Sequence, residues 1–312
     1  ELIQRTQKAA VLISRIGDFM KYIPLIHRVG AATITRVEET ALELTPNALF
    51  PEWNSHYSHS LAEMFDPAGL DLANQRIPLQ THLWVVEISG LTIVIDTGIG
   101  NGKARPFSKL FDMLDTPLLE RFEEVGFQRE QVDYVLLTHL HVDHVGWNTF
   151  WEDDRWTPVF PNATYVFSKQ ERDFFCTPAG ADRCMVFEDS VLPIIEAGIA
   201  RIVPDEGEEI LDGIRFLPTP GHSIGHMAIS IDSHGDTAVF SGDVMHSPLQ
   251  VYHPVWNSVF CLDQQSAQKS RKWLLAYAVN KNATVFAAHF PETSAGKIHQ
   301  GQDGYEWSYA LA

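Results

Sequence analysis

Three histidines and one aspartate fall within six consecutive positions, His139-Leu140-His141-Val142-Asp143-His144. Neutral imidazole and carboxylate are the ligands that zinc and its first-row neighbours favour. Such density directly after an apolar run points to metal chemistry. Three further residues share that placement. His222 follows Thr219-Pro220-Gly221, Asp243 follows Ser241-Gly242, and His289 closes the run 285–288. Five histidines and two aspartates exceed what one tetrahedral ion needs, and they suit two metals that share a carboxylate.

The elements that must position these side chains are visible as short apolar runs. Residues 82–88 and 91–95 read as two strands joined by Ser89-Gly90 and ending in Asp96-Thr97-Gly98. Residues 132–137 form a buried-type strand leading into Thr138-His139, and residues 163–168 form another, followed by a helix-like stretch over 169–175. Residues 117–126 carry helical spacing, with Gly126 placed as a stop. In the second half, 214–217 leads to Pro220-Gly221-His222, and 226–231 and 237–240 flank the turn Ser233-His234-Gly235-Asp236. A helix is expected over 266–279 and a strand over 284–288. A first strand is expected within 32–44, and 45–80 reads as a long irregular excursion. Residues 1–30, broken by Pro24, read as an N-terminal helix or arm. Strands clustered with helices in both halves, with no linker between them, predict two packed sheets with helices outside.

Composition narrows the partners. The chain has 312 residues, 45% hydrophobic and 20% charged, as globular proteins do. Lys plus Arg is 23 against 40 for Asp plus Glu, a net charge of −17. Nucleic-acid binding depends on cations that neutralise phosphates, so none is expected. No apolar run approaches the roughly 20 residues that span a bilayer, so no membrane partner is expected. The three cysteines, Cys176, Cys184 and Cys261, form no C-x-x-C pair and read as incidental thiols. The first ten residues lack the basic region and apolar core of a secretory leader, and a cytoplasmic location is the expectation.

Taken together, these motifs resemble the metallo-β-lactamase superfamily. Its H-x-H-x-D-H signature stands as His139 to His144, and the likeness runs in order through IDTG with Asp96, PGHS with His222, SGD with Asp243 and AHF with His289. The resemblance implies an α/β fold, the αββα sandwich, with the metal site at one edge between the sheets. A helical arm over 1–31 would precede a single domain over 32–312. It also implies two divalent metal ions, zinc being the expected metal. His139, His141 and His222 would hold one, and Asp143, His144 and His289 the other. Asp243 would bridge them, and Asp96 would hydrogen-bond a ligand from behind. A metal-bridging hydroxide would be the nucleophile, with Asp143 moving the proton.

Within the family, classical β-lactamases carry Cys or Ser at the position of Asp243, which counts against that branch. The likeness is greatest to quorum-quenching N-acyl-homoserine lactonases and to methyl parathion hydrolase and its relatives. Many homoserine lactonases have Tyr three residues after the bridging Asp. Here His246 stands there, as in the methyl parathion hydrolase-like members. Trp147, His246, Trp256 and Phe260, close in sequence to the ligands, are expected to line an apolar pocket. The expected activity is hydrolysis of a hydrophobic lactone or ester, with phosphotriesterase activity beside it, on a small-molecule substrate, in a protein that forms a homodimer. The alternatives are a β-lactamase-like or other thioester or amide hydrolase of this fold, or a binding protein that has lost catalysis.

Overall fold

A computed structural model describes residues 22–54, 69–71 and 73–312. Its first strands are β1 (Leu25–Val29), β2 (Ala32–Leu44), β3 (Ile77–Ile88), β4 (Leu91–Ile95) and β5 (Tyr134–Leu136). A hairpin of β6 (Thr149–Glu152) and β7 (Arg155–Pro158) precedes β8 (Thr164–Ser168) and β9 (Ala200–Val203). The second half supplies β10 (Glu208–Leu211), β11 (Ile214–Pro218), β12 (Met227–Ser233), β13 (Asp236–Gly242), β14 (Thr284–Ala287), β15 (Ala295–Gln300) and β16 (Tyr305–Tyr309). Among the described residues these build two seven-stranded sheets, ordered β1-β2-β3-β4-β5-β8-β9 and β10 through β16.

Strand periodicity decides how the sheets stack. Successive side chains point to opposite faces. In β3, Trp84 and Val86 therefore enter the core between the sheets, whereas Leu83 and Val85 face outward. In β13, Ala238 and Phe240 face the same inner core, and Val239 faces out. Both faces of each sheet are apolar, so each outer face needs a helical cover. Helix Leu118–Glu124 and helix Cys184–Ser190 cover the first sheet, through Leu118, Phe122 and Val186. Helix Gln264–Lys281 covers the second with Leu274, Leu275 and Ala278. The result is the expected αββα sandwich.

The arm expected over 1–31 lies outside the described residues as far as position 21. Its described end is not helical: Leu25–Val29 is strand β1, antiparallel to β2. Gly30, at φ +54°, makes the turn between them. Among the described residues no helix is long and apolar enough to cross a membrane.

The strand ends gather at one edge. Asp96 follows β4, Thr138 and His139 follow β5, His222 follows β11, Asp243 follows β13 and His289 follows β14. The parallel pairings β4–β5 and β13–β14 bring neighbouring carboxyl ends to the same side. Backbone packing fixes the loop after β5. Gly146 donates its N–H to Gly98 O at 2.7 Å, and a Cβ at Gly146 would fall on the Ile99 carbonyl. Gly146→Ala is therefore expected to destabilise the protein by about 2–3 kcal/mol, the cost of overpacking where both neighbours are main chain. Denaturant unfolding of the variant beside the parent chain checks this.

Candidate metal centre

Seven side chains from four loops converge at that edge. The donor atoms of His139, His141 and His222 lie within 4.8 Å of one another, and so do those of Asp143, His144 and His289. Asp243 stands between the two groups. Its Oδ2 is 3.1 Å from His222 Nε2 and 3.9 Å from His139 Nε2. Its Oδ1 is 3.1 Å from His144 Nε2 and 3.0 Å from His289 Nε2. Each oxygen of one carboxylate thus faces a different set.

Hydrogen bonds behind the ring nitrogens dictate the tautomers. Asp96 accepts Thr138 N–H through Oδ1, and through Oδ2 it accepts both Thr138 Oγ1–H and His144 Nδ1–H, all at 2.8 Å. A carboxylate cannot donate, so His144 carries its hydrogen on Nδ1 and presents Nε2 to Asp243. Thr138 Oγ1, its own proton committed to Asp96, accepts His139 Nδ1–H at 3.1 Å. His289 Nδ1–H donates to Gln80 O at 2.9 Å. In all three residues Nε2 is the ring atom left to face Asp243. His139 Nε2, His144 Nε2 and Asp243 Oδ1 are buried and make no hydrogen bond. Buried polar atoms are ordinarily paired. Imidazole and carboxylate donors left unpaired at contact distance, in orientations fixed from behind, fit divalent cations.

Three supports escaped the sequence reading. His226 accepts Asp243 N–H at Nε2, 2.9 Å, and so donates through Nδ1 to Thr219 Oγ1 at 2.8 Å. Burial depresses the basicity of this ring, to a pKa of about 3, which keeps it the neutral acceptor that Asp243 N–H requires. Glu39 accepts Ile99 N–H, Gly100 N–H and Trp147 Nε1–H, at 2.7, 3.0 and 2.8 Å. Glu171 accepts Leu140 N–H and Gly225 N–H. For His226 a signal was present, since it closes the run Gly221-His222-Ser223-Ile224-Gly225-His226. The two glutamates carried none.

The four residues expected in the pocket part ways. Trp147 is buried in the outer core of the first sheet with its indole tied to Glu39, so it supports the loop rather than lining an opening. Trp256 is likewise buried, packed among Leu49, Phe50 and Trp53. His246 does reach the centre: its Nε2 is 3.2 Å from Asp243 Oδ2, and neither ring nitrogen has a hydrogen-bond partner. Phe260, 51% exposed, has its ring centre 6.1 Å from that of His246.

A model of the metallo-β-lactamase superfamily matches residues 76–289, more than half of the chain. The chain belongs to this superfamily. It is similar to the N-acyl homoserine lactonase of Bacillus cereus, 26% identical over 176 residues, which cover 56% of this chain and 62% of the relative. It is similar also to the N-acyl homoserine lactonase AttM of Rhizobium radiobacter, 25% identical over 187 residues, 58% of this chain and 66% of that one. The chain thus spans less than two thirds of the length of these curated relatives. Among solved structures, the hydrolase AbOPH of the β-lactamase superfamily superposes with a TM-score of 0.76 at 23% identity, covering 93% of this chain and 98% of that one. AidC, a dizinc quorum-quenching lactonase, superposes with a TM-score of 0.75 at 20% identity and the same coverage. At such identity these two superpositions speak for the fold.

The electrostatics divide the centre. Burial depresses the basicity of His139 and His222 well below that of ordinary imidazole, so these rings are neutral. At His144 burial acts the same way, but the carboxylates of Asp243, Asp96 and Asp143 overcome it and hold the ring well above its ordinary value. His289 is raised likewise, by Asp243 and Asp143 against its burial. Metal ligation requires unprotonated nitrogen. Filling the Asp143–His144–His289 set must therefore expel protons, whereas His139 and His222 have none to lose. Calorimetric zinc titration near pH 7, in buffers of different ionisation enthalpy, is expected to show proton release and an affinity that rises with pH.

Proposed function

We propose that this protein is a dinuclear metal-dependent hydrolase of a lactone or ester with a substantial apolar portion. The observation that carries the reading is the division of the Asp243 carboxylate between two sets of imidazoles. Two divalent ions, zinc foremost, would be held by His139, His141 and His222 on one side and by Asp143, His144 and His289 on the other, with Asp243 shared. Ions held this way acidify water and polarise a carbonyl oxygen.

The chain's own groups do the rest. Asp143, only partly buried, stands 3.6 Å from His289 Nε2 at the open side, and its second lone pairs serve to accept and return a proton as the leaving oxygen departs. Asp96 and Gln80 prevent His144 and His289 from turning. His246 Nε2 stands 3.2 Å from Asp243 Oδ2, where an N–H would steady the shared carboxylate.

The rim supports an apolar substrate. Phe260, Leu262 and Ile224 are exposed. Ile224 lies two residues beyond His222, Leu262 N–H donates to His222 O at 3.0 Å, and the Phe260 ring centre stands 6.1 Å from that of His246. The lactonase relatives make an acyl lactone the first substrate to try.

Metal-loaded protein should turn over an N-acyl homoserine lactone or an aryl ester, with a phosphotriester assayed alongside. Inertness toward all three would overturn the reading. Asp243→Asn should lower kcat by about 100-fold or more, through loss of the shared ligand. Phe260→Ala should instead raise KM about fivefold for a long-chain lactone, with kcat little changed, as loss of roughly 1 kcal/mol of apolar contact requires.

A further inference from the structure

Glu171 is a buried carboxylate that the proposed reaction does not use. It lies in the helix Lys169–Phe174, and its own backbone N–H is capped by Ser168 Oγ at 3.1 Å. Its two oxygens reach two different loops. Oε2 accepts Leu140 N–H at 3.0 Å, and Oε1 accepts Gly225 N–H at 2.7 Å. Leu140 sits between His139 and His141, and Gly225 lies three residues beyond His222. One side chain thereby joins the loops that bring His141 Nδ1 and His222 Nε2 to 2.8 Å.

The tie is close-fitting as well as polar. A Cβ on Gly225 would overlap Ser168 Oγ and come within 2.9 Å of Glu171 N. Neither hydrogen bond of the Glu171 carboxylate goes to Asp143, His144 or the loop of His289; His144 is held by Asp96 and His289 by Gln80.

We propose that Glu171 is a positioning residue for one metal position alone, the one formed by His139, His141 and His222. The proposal rests on the reading of this centre as one that binds two ions. A carboxylate is required because both buried donors need an acceptor. A glutamine there would satisfy one N–H and turn its own NH2 toward the other. The loops would then part, and the spacing of His141 and His222 would relax while the other set kept its supports.

The test is cobalt(II) titration of the metal-free protein, followed by its visible spectrum and by competition with a chromophoric chelator. The parent chain, Glu171→Gln, Gly225→Ala and His141→Ala are compared. Parent protein should take up two ions. In Glu171→Gln one of them should weaken ~10–100-fold, as loss of a ligand's outer support does, while the other shifts by less than about threefold. The spectrum of the ion that remains tight should match the one left in His141→Ala. Gly225→Ala, which displaces the same loop without touching the carboxylate, should give the same pattern, and it carries the test if Glu171→Gln does not fold. Equal weakening of both ions, or of neither, overturns the proposal. Failure of the parent chain itself to bind cobalt overturns the two-ion reading and the proposal with it.

Discussion

Everything at this edge of the sandwich is arranged around one buried carboxylate. Asp243 lies among His144, His222, His246 and His289, each with a ring nitrogen within 3.2 Å of one of its oxygens. Burial alone would neutralise it, yet the surrounding imidazoles hold it well below the usual carboxylate range. An ionised group withdrawn from water costs several kcal/mol unless cations or donors replace the lost solvent. Protons on His144 and His289 can supply that compensation, and so can divalent ions. The same imidazoles serve in either case, and the two occupants therefore compete.

The backbone bears the geometric consequence. Seven donors can meet only where strands stop, because within a strand alternate side chains diverge to opposite faces. Loops that leave strand ends lose their ladder partners, and their N–H groups need acceptors inside a dry interior. Here carboxylates and one histidine provide them: Asp96 for Thr138, Glu39 for Ile99 and Gly100, Glu171 for Leu140 and Gly225, His226 for Asp243. Where the main chain passes closest, no side chain fits. A Cβ on Gly242 would strike His226 and Thr138, and one on Gly221, at φ +132°, would strike Ala267. These two glycines are as much a part of the centre as the ligands beside them.

That division explains which parts of the sequence could be read. The His139–His144 run, Asp96, His222, Asp243 and His289 stand next to apolar runs that end abruptly, so both the residue type and its placement announce them. The central strands were legible for the same reason, β4 being almost wholly apolar and β13 carrying the apolar run Ala238–Phe240. The outer strands were not. β1 (LIHRV) and β16 (YEWSY) are sheet edges and β15 (AGKIHQ) lies beside one; all three mix polar and apolar residues, and tertiary pairing decides them. Trp147 and Trp256 misled for a different reason. Proximity in sequence to a ligand does not give direction, and both loops turn these rings back into the core.

Glu39 and Glu171 illustrate a deeper limit. An isolated glutamate in a polar stretch has the sequence appearance of a solvated charge, and most such residues are. Apart from the Trp147 indole on Glu39, their partners are backbone N–H groups, which carry no residue identity at all. Glu39 accepts from positions 60 and 61 residues away, and Glu171 from positions 31 and 54 away. Burial raises the Glu39 carboxyl above its usual range, and the N–H donors of Ile99, Gly100 and Trp147 act against that rise. The stability of these carboxylates thus depends on the loops they hold, and the loops depend on them. Neither half can be inferred without the other, and that mutual dependence keeps the outer support of the centre out of sight until the chain is folded.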